Sequence, residues 1–335
     1  MTDKPNQLDI YLKLVDTIGN TIEGARMRAL RAVNNELLKA NWEIGKYIVE
    51  YEQHGNEKAE YGSSLLTNLS KDLKSRFGKG FSKSNVYLMR QFYLKYQKFQ
   101  SVTGKLTWTH YAELLGISDD NTRKFYEKQA ENENWSVREL KRQINSSLFE
   151  RIALSKNKKN VLKLSQQGLI INEAKDIVKD PYVLEFLQIP EEQRMTENKL
   201  EQKIIDNLQT FLLELGKGFS FIGRQYRITL ANDHFYVDLV FYHRILKCFV
   251  LIDLKTKHVK HQDIGQMNMY LNYFKSEEST EDDNPPIGIV LGADKNDILV
   301  EYAIGGISNN IFVSKYQLHL PDKKVLEDKV KELIG

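Results

Sequence analysis

The chain is poor in residues that cross-link or interrupt. It has one cysteine, Cys248, in 335 residues. A single thiol excludes a disulfide framework and a cysteine-based zinc site. Its place in the apolar run Cys248-Phe249-Val250-Leu251-Ile252 reads as a small buried hydrophobe. Prolines number six, and none lies between Pro5 and Pro181; such stretches suit helices. No apolar run approaches the ~18 residues that a membrane span needs, so no membrane partner is expected. The opening Met1-Thr2-Asp3-Lys4-Pro5-Asn6 lacks the basic-then-apolar form of a signal peptide, and a cytoplasmic location is the expectation. Net charge is only +3, too little by itself to imply nucleic acid. What remains, 41% hydrophobic and 28% charged, is an ordinary folding chain, long enough for two domains at about 150 residues each.

Apolar residues recur at helical spacing in the proline-free part. Trp42, Ile44, Tyr47, Ile48 and Tyr51 form one stripe. Leu65, Leu66, Leu69, Leu73 and Phe77 form a second, and Val86, Met89, Phe92, Tyr93 and Tyr96 a third. Gly78-Lys79-Gly80 predicts the end of the second helix, and Ser82 or Ser84 the cap of the third. Further helices are predicted near 109–115, 119–131 and 136–151. After Asp180-Pro181 and Ile189-Pro190 the pattern changes. A helix is predicted over 197–215, then strands over 224–230, 235–242 and 248–255. A helix over 260–275, a strand over 287–291, a helix near 296–303, a strand over 311–316 and a helix over 323–333 follow. The expected architecture is an all-helical domain, 1–185, followed by an α/β domain, 186–335, with a mixed central sheet flanked by helices. Gly-Lys-Gly-Phe-Ser occurs twice, at 78–82 and 216–220. Neither copy has the spacing of a phosphate loop, and both read as helix stops.

Chemistry concentrates in the second half. Asp238 stands within Phe235-Tyr236-Val237-Asp238-Leu239-Val240-Phe241, and Asp253-Leu254-Lys255 closes the apolar run that begins at Cys248. Strand residues two apart point the same way. Asp253 and Lys255 therefore share a face, as do Tyr236, Asp238 and Val240. If the two strands pair, two carboxylates and an ammonium meet at a sheet edge. Buried acids side by side repel without a cation. Such carboxylates hold Mg²⁺, and a neighbouring lysine suits a phosphate. The competing reading is a pair of solvent-facing strand-end acids, with Lys255 paired to one of them.

This constellation resembles the PD-(D/E)XK nuclease superfamily. Over nearly the whole chain it resembles the YhcG-type nucleases, in which a helical domain precedes the nuclease domain. The likeness extends to Leu200-Glu201, Gly223-Arg224-Gln225, Phe241-Tyr242-His243-Arg244 and Gly265-Gln266-Met267-Asn268-Met269-Tyr270-Leu271. Upstream it covers Trp42-Glu43-Ile44-Gly45-Lys46, Phe77-Gly78-Lys79-Gly80-Phe81-Ser82 and Trp135-Ser136-Val137-Arg138-Glu139-Leu140. Val237 stands where the motif is named for proline, and Asp253 where many close relatives are expected to have Glu. The resemblance implies a restriction-endonuclease-like fold and a Mg²⁺-dependent deoxyribonuclease, with Mn²⁺ as a substitute. The substrate would be DNA, including branched or processed forms met in repair, recombination or defence. The implied metal ligands are Asp238, Asp253, the backbone carbonyl of Leu254, and Glu201, which resembles the opening-helix acid of the superfamily. Lys255 would orient or deprotonate a water, or stabilise transition-state charge. Gln266 and Tyr270, one helical turn apart, would orient Lys255 or contact DNA. The rival expectation is a catalytically silent DNA-binding or adaptor subunit of a mobile-element or restriction-type complex.

The helical half carries its own charge. Residues 70–100 hold eight basic residues, among them Lys79, Lys83 and Arg90, and one acid, Asp72. Aromatics interleave with them, and the helix–glycine turn–helix pattern near 65–98 is compatible with helix-turn-helix geometry. Arg138, Arg142 and Arg151 add a second basic region. Phosphate binding suits such local charge, as does a solvated face over an aromatic core. Arg224 is a further candidate DNA contact. A protein partner through the helical domain and a homo-oligomer are both compatible with the sequence.

Overall fold

A computed structural model describes residues 7–54, 59–99, 104–154, 158–190, 195–305, 310–320 and 322–334. By contacts the chain parts into two compact units, Met1–Arg123 and Lys124–Gly335.

The first unit is helical. Its elements are α1 (Gln7–His54), α2 (Ala59–Phe77), α3 (Lys83–Lys95) and α4 (Trp108–Leu115), and α5 (Asp120–Glu133) begins in it. The third predicted stripe forms its centre, because Val86, Met89, Phe92 and Tyr96 are all buried, together with Leu38, Ile48, Tyr111 and Leu114. α1 lies so close to α3 that a Cβ on Gly45 would meet the Met89 carbonyl oxygen at 2.0 Å. Trp42 Nε1 donates to the Tyr96 carbonyl at 2.6 Å. The other two stripes are less buried than their periodicity suggests. Ile44, Tyr47, Tyr51, Leu65, Leu69 and Phe77 line an apolar groove of about 750 Å³. α2 stops before Gly78 and Gly80, whose φ values are +83° and +116°, and the Ser82 side chain caps α3 by accepting from Asn85 N.

The second unit is built on a six-stranded mixed sheet. After α6 (Val137–Asn145), α7 (Leu148–Ala153) and α8 (Lys158–Gln167) come the short β1 (Tyr182–Val183), then α9 (Glu197–Asp206) and α10 (Leu208–Leu215). The antiparallel meander β2 (Phe219–Leu230), β3 (Asp233–His243) and β4 (Cys248–His258) follows. α11 (His261–Tyr273), β5 (Ile287–Asp294), α12 (Asp297–Ile304), β6 (Ile311–Gln317) and α13 (Lys323–Ile334) complete the unit. The strand order is β1-β6-β5-β4-β3-β2, and β1, β6, β5 and β4 run parallel to one another. One face buries Leu239, Phe241, Val250, Ile252 and Leu254 against Leu200, Ile204 and Phe211 of α9 and α10. The other buries Val240, Leu251 and Val290 against Ile264, Met267, Tyr270 and Leu271 of α11.

One expectation changes here. The single helix expected over 197–215 breaks at Asn207, whose side chain donates to the Lys203 carbonyl, a local bond that competes with the helix. By contacts α6 and α7 lie in the same unit as α10, with which they share a buried ion network. Glu214, fully buried, takes Arg151 Nη1 at 2.9 Å and Arg142 Nη2 at 3.2 Å. It also accepts from Val183 N at 3.0 Å, and Lys179 Nζ donates to its carbonyl. Arg142 and Arg151 are thus internal cations, not part of a phosphate-facing surface.

The repeated pentapeptide gives an internal comparison. Gly80 (φ +116°) has nothing within 4 Å of an added Cβ, whereas at Gly218 (φ +106°) a Cβ would strike His243 Nε2 at 2.5 Å. Both positions are strained for an L-residue, but only the second is also crowded. Gly218→Ala is expected to cost roughly 3 kcal/mol or more, against about 1 kcal/mol for Gly80→Ala. Urea midpoints of the two variants measure this, and equal shifts would contradict it.

Candidate active site

The pairing of β3 and β4 sets the two acids opposite each other. Their register runs from His243–Cys248 to Leu239–Ile252, and one step further faces Asp238 with Asp253. There the ladder stops. β4 instead pairs onward with β5, Asp253 opposite Val290 and Lys255 opposite Gly292. The acids therefore lie inside the sheet, where two interior strands part, rather than at its edge. Asp238 bridges the opening, because its Oδ2 accepts from Leu254 N at 2.7 Å.

The electrostatics follow from this placement. Asp253 is 3% exposed. Burial first, and then the charge of Asp238, push its carboxyl up to about 7 against the pull of Lys255. Lys255 Nζ lies 2.6 Å from Asp253 Oδ2 and forms a close, charge-assisted pair with it. Burial works against the Lys255 ammonium, but Asp253, Glu197 and Asp263 outweigh it and hold the amine above its ordinary value. Asp263 Oδ1 is 4.0 Å from Lys255 Nζ.

Two elements close the site. Glu201 on α9 is 6% exposed, and burial raises its carboxyl above the usual range. It does not join the aspartates directly. Gln225 Nε2 stands between, donating to Glu201 Oε2 at 2.6 Å and to Asp238 Oδ1 at 3.0 Å. Among the described residues no three His, Cys, Asp or Glu side chains are grouped to hold a metal ion. On α11, Gln266 is half-buried and hydrogen-bonds Tyr270. Tyr270 is fully buried, and its hydroxyl donates to the Tyr236 carbonyl at 2.9 Å. It ties α11 to β3 and offers no surface to DNA.

The remaining basic residues divide. Lys79 and Lys83 are exposed beside the glycine turn. Arg90 is engaged within its own unit, with Nε donating to both Glu52 oxygens at 3.0 and 2.7 Å. Arg224 donates to Gln202 Oε1 at 2.8 Å and has its Nε 4.0 Å from Glu201 Oε1. The roles of three residues near the site escape a reading of the sequence. Glu197 lies one helical turn before Glu201, and Asp263 lies on the α11 face of Gln266 and Tyr270; helical spacing could have found both. Gln225 becomes visible only once the meander register is known.

Paired carboxylates and a lysine on parting strands of a helix-flanked mixed sheet define a PD-(D/E)XK-type nuclease domain. A family model described as the YhcG PDDEXK nuclease domain matches residues 175–331, and one for the DUF1016 N-terminal domain matches residues 17–151. The chain is 38% identical to "Putative nuclease YhcG" of Escherichia coli (strain K12), over 96% of this chain and 93% of that protein. The chain belongs to the YhcG family. Among solved structures, it is similar to a repair endonuclease from Pyrococcus abyssi, with a TM-score of 0.28 and 17% identity over 39% of this chain and 50% of that chain. EndoMS in apo form gives a TM-score of 0.25 and 14% identity, over 39% of this chain and 49% of that chain. The similarity thus spans about half the length of each.

Proposed function

We propose that the protein is a divalent-cation-dependent deoxyribonuclease, with Asp238, Asp253 and the Leu254 carbonyl holding Mg²⁺ and Lys255 acting on the scissile phosphate. The observation that carries this reading is the buried Asp253 carboxylate. Burial and then the charge of Asp238 raise it, and the Lys255 ammonium lies 2.6 Å from its Oδ2. Oxygen donors of this charge and hardness fit Mg²⁺ or Mn²⁺, since a cation relieves the repulsion between the two acids. Such an ion supplies Lewis acidity and a water of lowered pKa. The chain's own groups do the rest. Leu254 N and Gln225 fix the Asp238 carboxylate from two sides. Lys255 is held as an ammonium by three acids, which suits it to donate to a phosphate oxygen and to offset transition-state charge, rather than to remove a proton. Tyr270 and Gln266 position α11 beneath the strands.

The test is a cleavage panel over duplex, single-stranded, flap and junction DNA with Mg²⁺, Mn²⁺ or EDTA. Cutting that needs the cation and stops with EDTA is expected. Cutting that persists in EDTA would count against the site, and no cutting with any substrate would favour an adaptor role. A DNA-positioning role for the helical unit is supported by the exposed Lys79 and Lys83. Reversing both charges is expected to weaken DNA binding and reduce the salt slope by about two. Fluorescence anisotropy across a salt series reads this, and an unchanged slope removes these lysines from the interface.

A further inference from the structure

Gln225 holds the least comfortable backbone of the site. It lies inside β2 with φ +46°, a conformation that a non-glycine residue rarely adopts in a strand. The β2–β3 register pairs Arg224 with Leu239 and Tyr226 with Val237, but between them Gln225 and Asp238 form no pair. The left-handed turn aims the side chain at two acids from different elements. A glutamine amide nitrogen has two protons. One goes to Glu201 Oε2 at 2.6 Å and the other to Asp238 Oδ1 at 3.0 Å. Backbone strain of this kind persists where surrounding contacts over-determine it, and it clusters at functional sites.

The consequence concerns cation number. Two carboxylates facing each other across a gap attract a cation, but here a neutral donor fills the gap. Glu201 is satisfied by that donor and by the nearby Arg224 guanidinium. On its other side Asp238 acts on the buried Asp253 carboxyl, whose Oδ2 lies 2.6 Å from the Lys255 ammonium. We infer that Gln225 sets the stoichiometry of the site, its amide taking the place of a second divalent ion between Glu201 and Asp238 and leaving one ion to Asp238 and Asp253. This rests on the cation-binding reading above, and it makes Glu201 a positioning residue rather than the ligand that the family resemblance implies. Gln225 is likewise a positioning residue. It acts by holding Asp238 and by keeping Glu201 from the ion.

Mn²⁺ binding to the full-length chain tests this without substrate, by paramagnetic resonance of free Mn²⁺ and by calorimetry. The parent protein is expected to bind about one ion. Gln225→Glu exchanges the donor for a third carboxylate of the same shape and is expected to bind about two. Adding Glu201→Gln to that variant is expected to return the count to about one. Gln225→Gly accepts the positive φ, opens the gap without adding charge, and serves as the second variant, with circular dichroism confirming its fold. A parent that binds two ions overturns the inference while leaving cation binding intact. One ion at parental affinity in both Gln225→Glu and Gln225→Gly does the same. A parent that binds none removes the cation reading and this inference with it.

Discussion

Replacing Asp253 with alanine is expected to abolish cleavage, by on the order of 10³-fold or more, while the protein melts no lower than its parent. The two halves of this expectation have one cause. Asp253 sits 3% exposed beside Asp238, so its ionised form is a burden on the fold as well as a tool for chemistry. Removing the carboxylate deletes the proposed cation ligand and also relieves the repulsion on Asp238. Lys255 loses its close counter-charge but keeps Asp263 and Glu197 nearby. Single-turnover cleavage rates and melting curves on the same preparation separate the effects. Activity within about tenfold of the parent would reject the assignment. A large fall in melting temperature would mean that Asp253 is a structural ion-pair partner of Lys255.

The largest expected loss of stability is at Glu214. Burial opposes its charge, but Arg151, Lys179 and Arg142 outweigh that and hold the carboxyl down at about 2. Glu214→Gln keeps the shape and leaves those cations without their counter-charge in a buried place. Breaking such a network from one side costs roughly 3–5 kcal/mol. Denaturant midpoints at neutral pH measure it, and a change under about 1 kcal/mol would show that the arginines relax to solvent. The pH dependence has a definite sign. A carboxyl depressed in the fold contributes stability that is complete above its unfolded value near 4.5 and is lost as pH falls toward 2. Lys179 works in the same direction, in a more alkaline window. Burial lowers its amine to about 8 from 10.5, so between those values the unfolded chain binds more protons and stability rises with pH. The parent should therefore lose stability in acid through Glu214, and the Glu214→Gln variant should lack that share of the loss.

The same residues show what a sequence can and cannot disclose. Asp238, Asp253 and Lys255 were legible because a strand's two-residue alternation places a charge against an apolar pattern, and an acid inside such a pattern is conspicuous. The meander and the helix α11 were legible for the same reason. Gln225 was not, because nothing in Gly223-Arg224-Gln225 signals a left-handed residue within a strand, and its partners come from separate elements. Tyr270 was misplaced because helical spacing gives a face but not whether that face meets solvent or strand; here its hydroxyl ends on the Tyr236 carbonyl. Arg142 and Arg151 looked like surface charge because their counter-ion, Glu214, is more than sixty residues away. Long-range ion pairing leaves no local trace. Glycine stops were readable at both copies of Gly-Lys-Gly-Phe-Ser, whereas the crowding by His243 that distinguishes them was not.

Where β3 and β4 separate, a side chain rather than a carbonyl secures the amide of Leu254. That proton is shielded only as long as Asp238 stays in place. Its exchange with deuterated solvent therefore registers the posture of the acid itself, and gives a spectroscopist a label-free gauge of the proposed catalytic centre at rest.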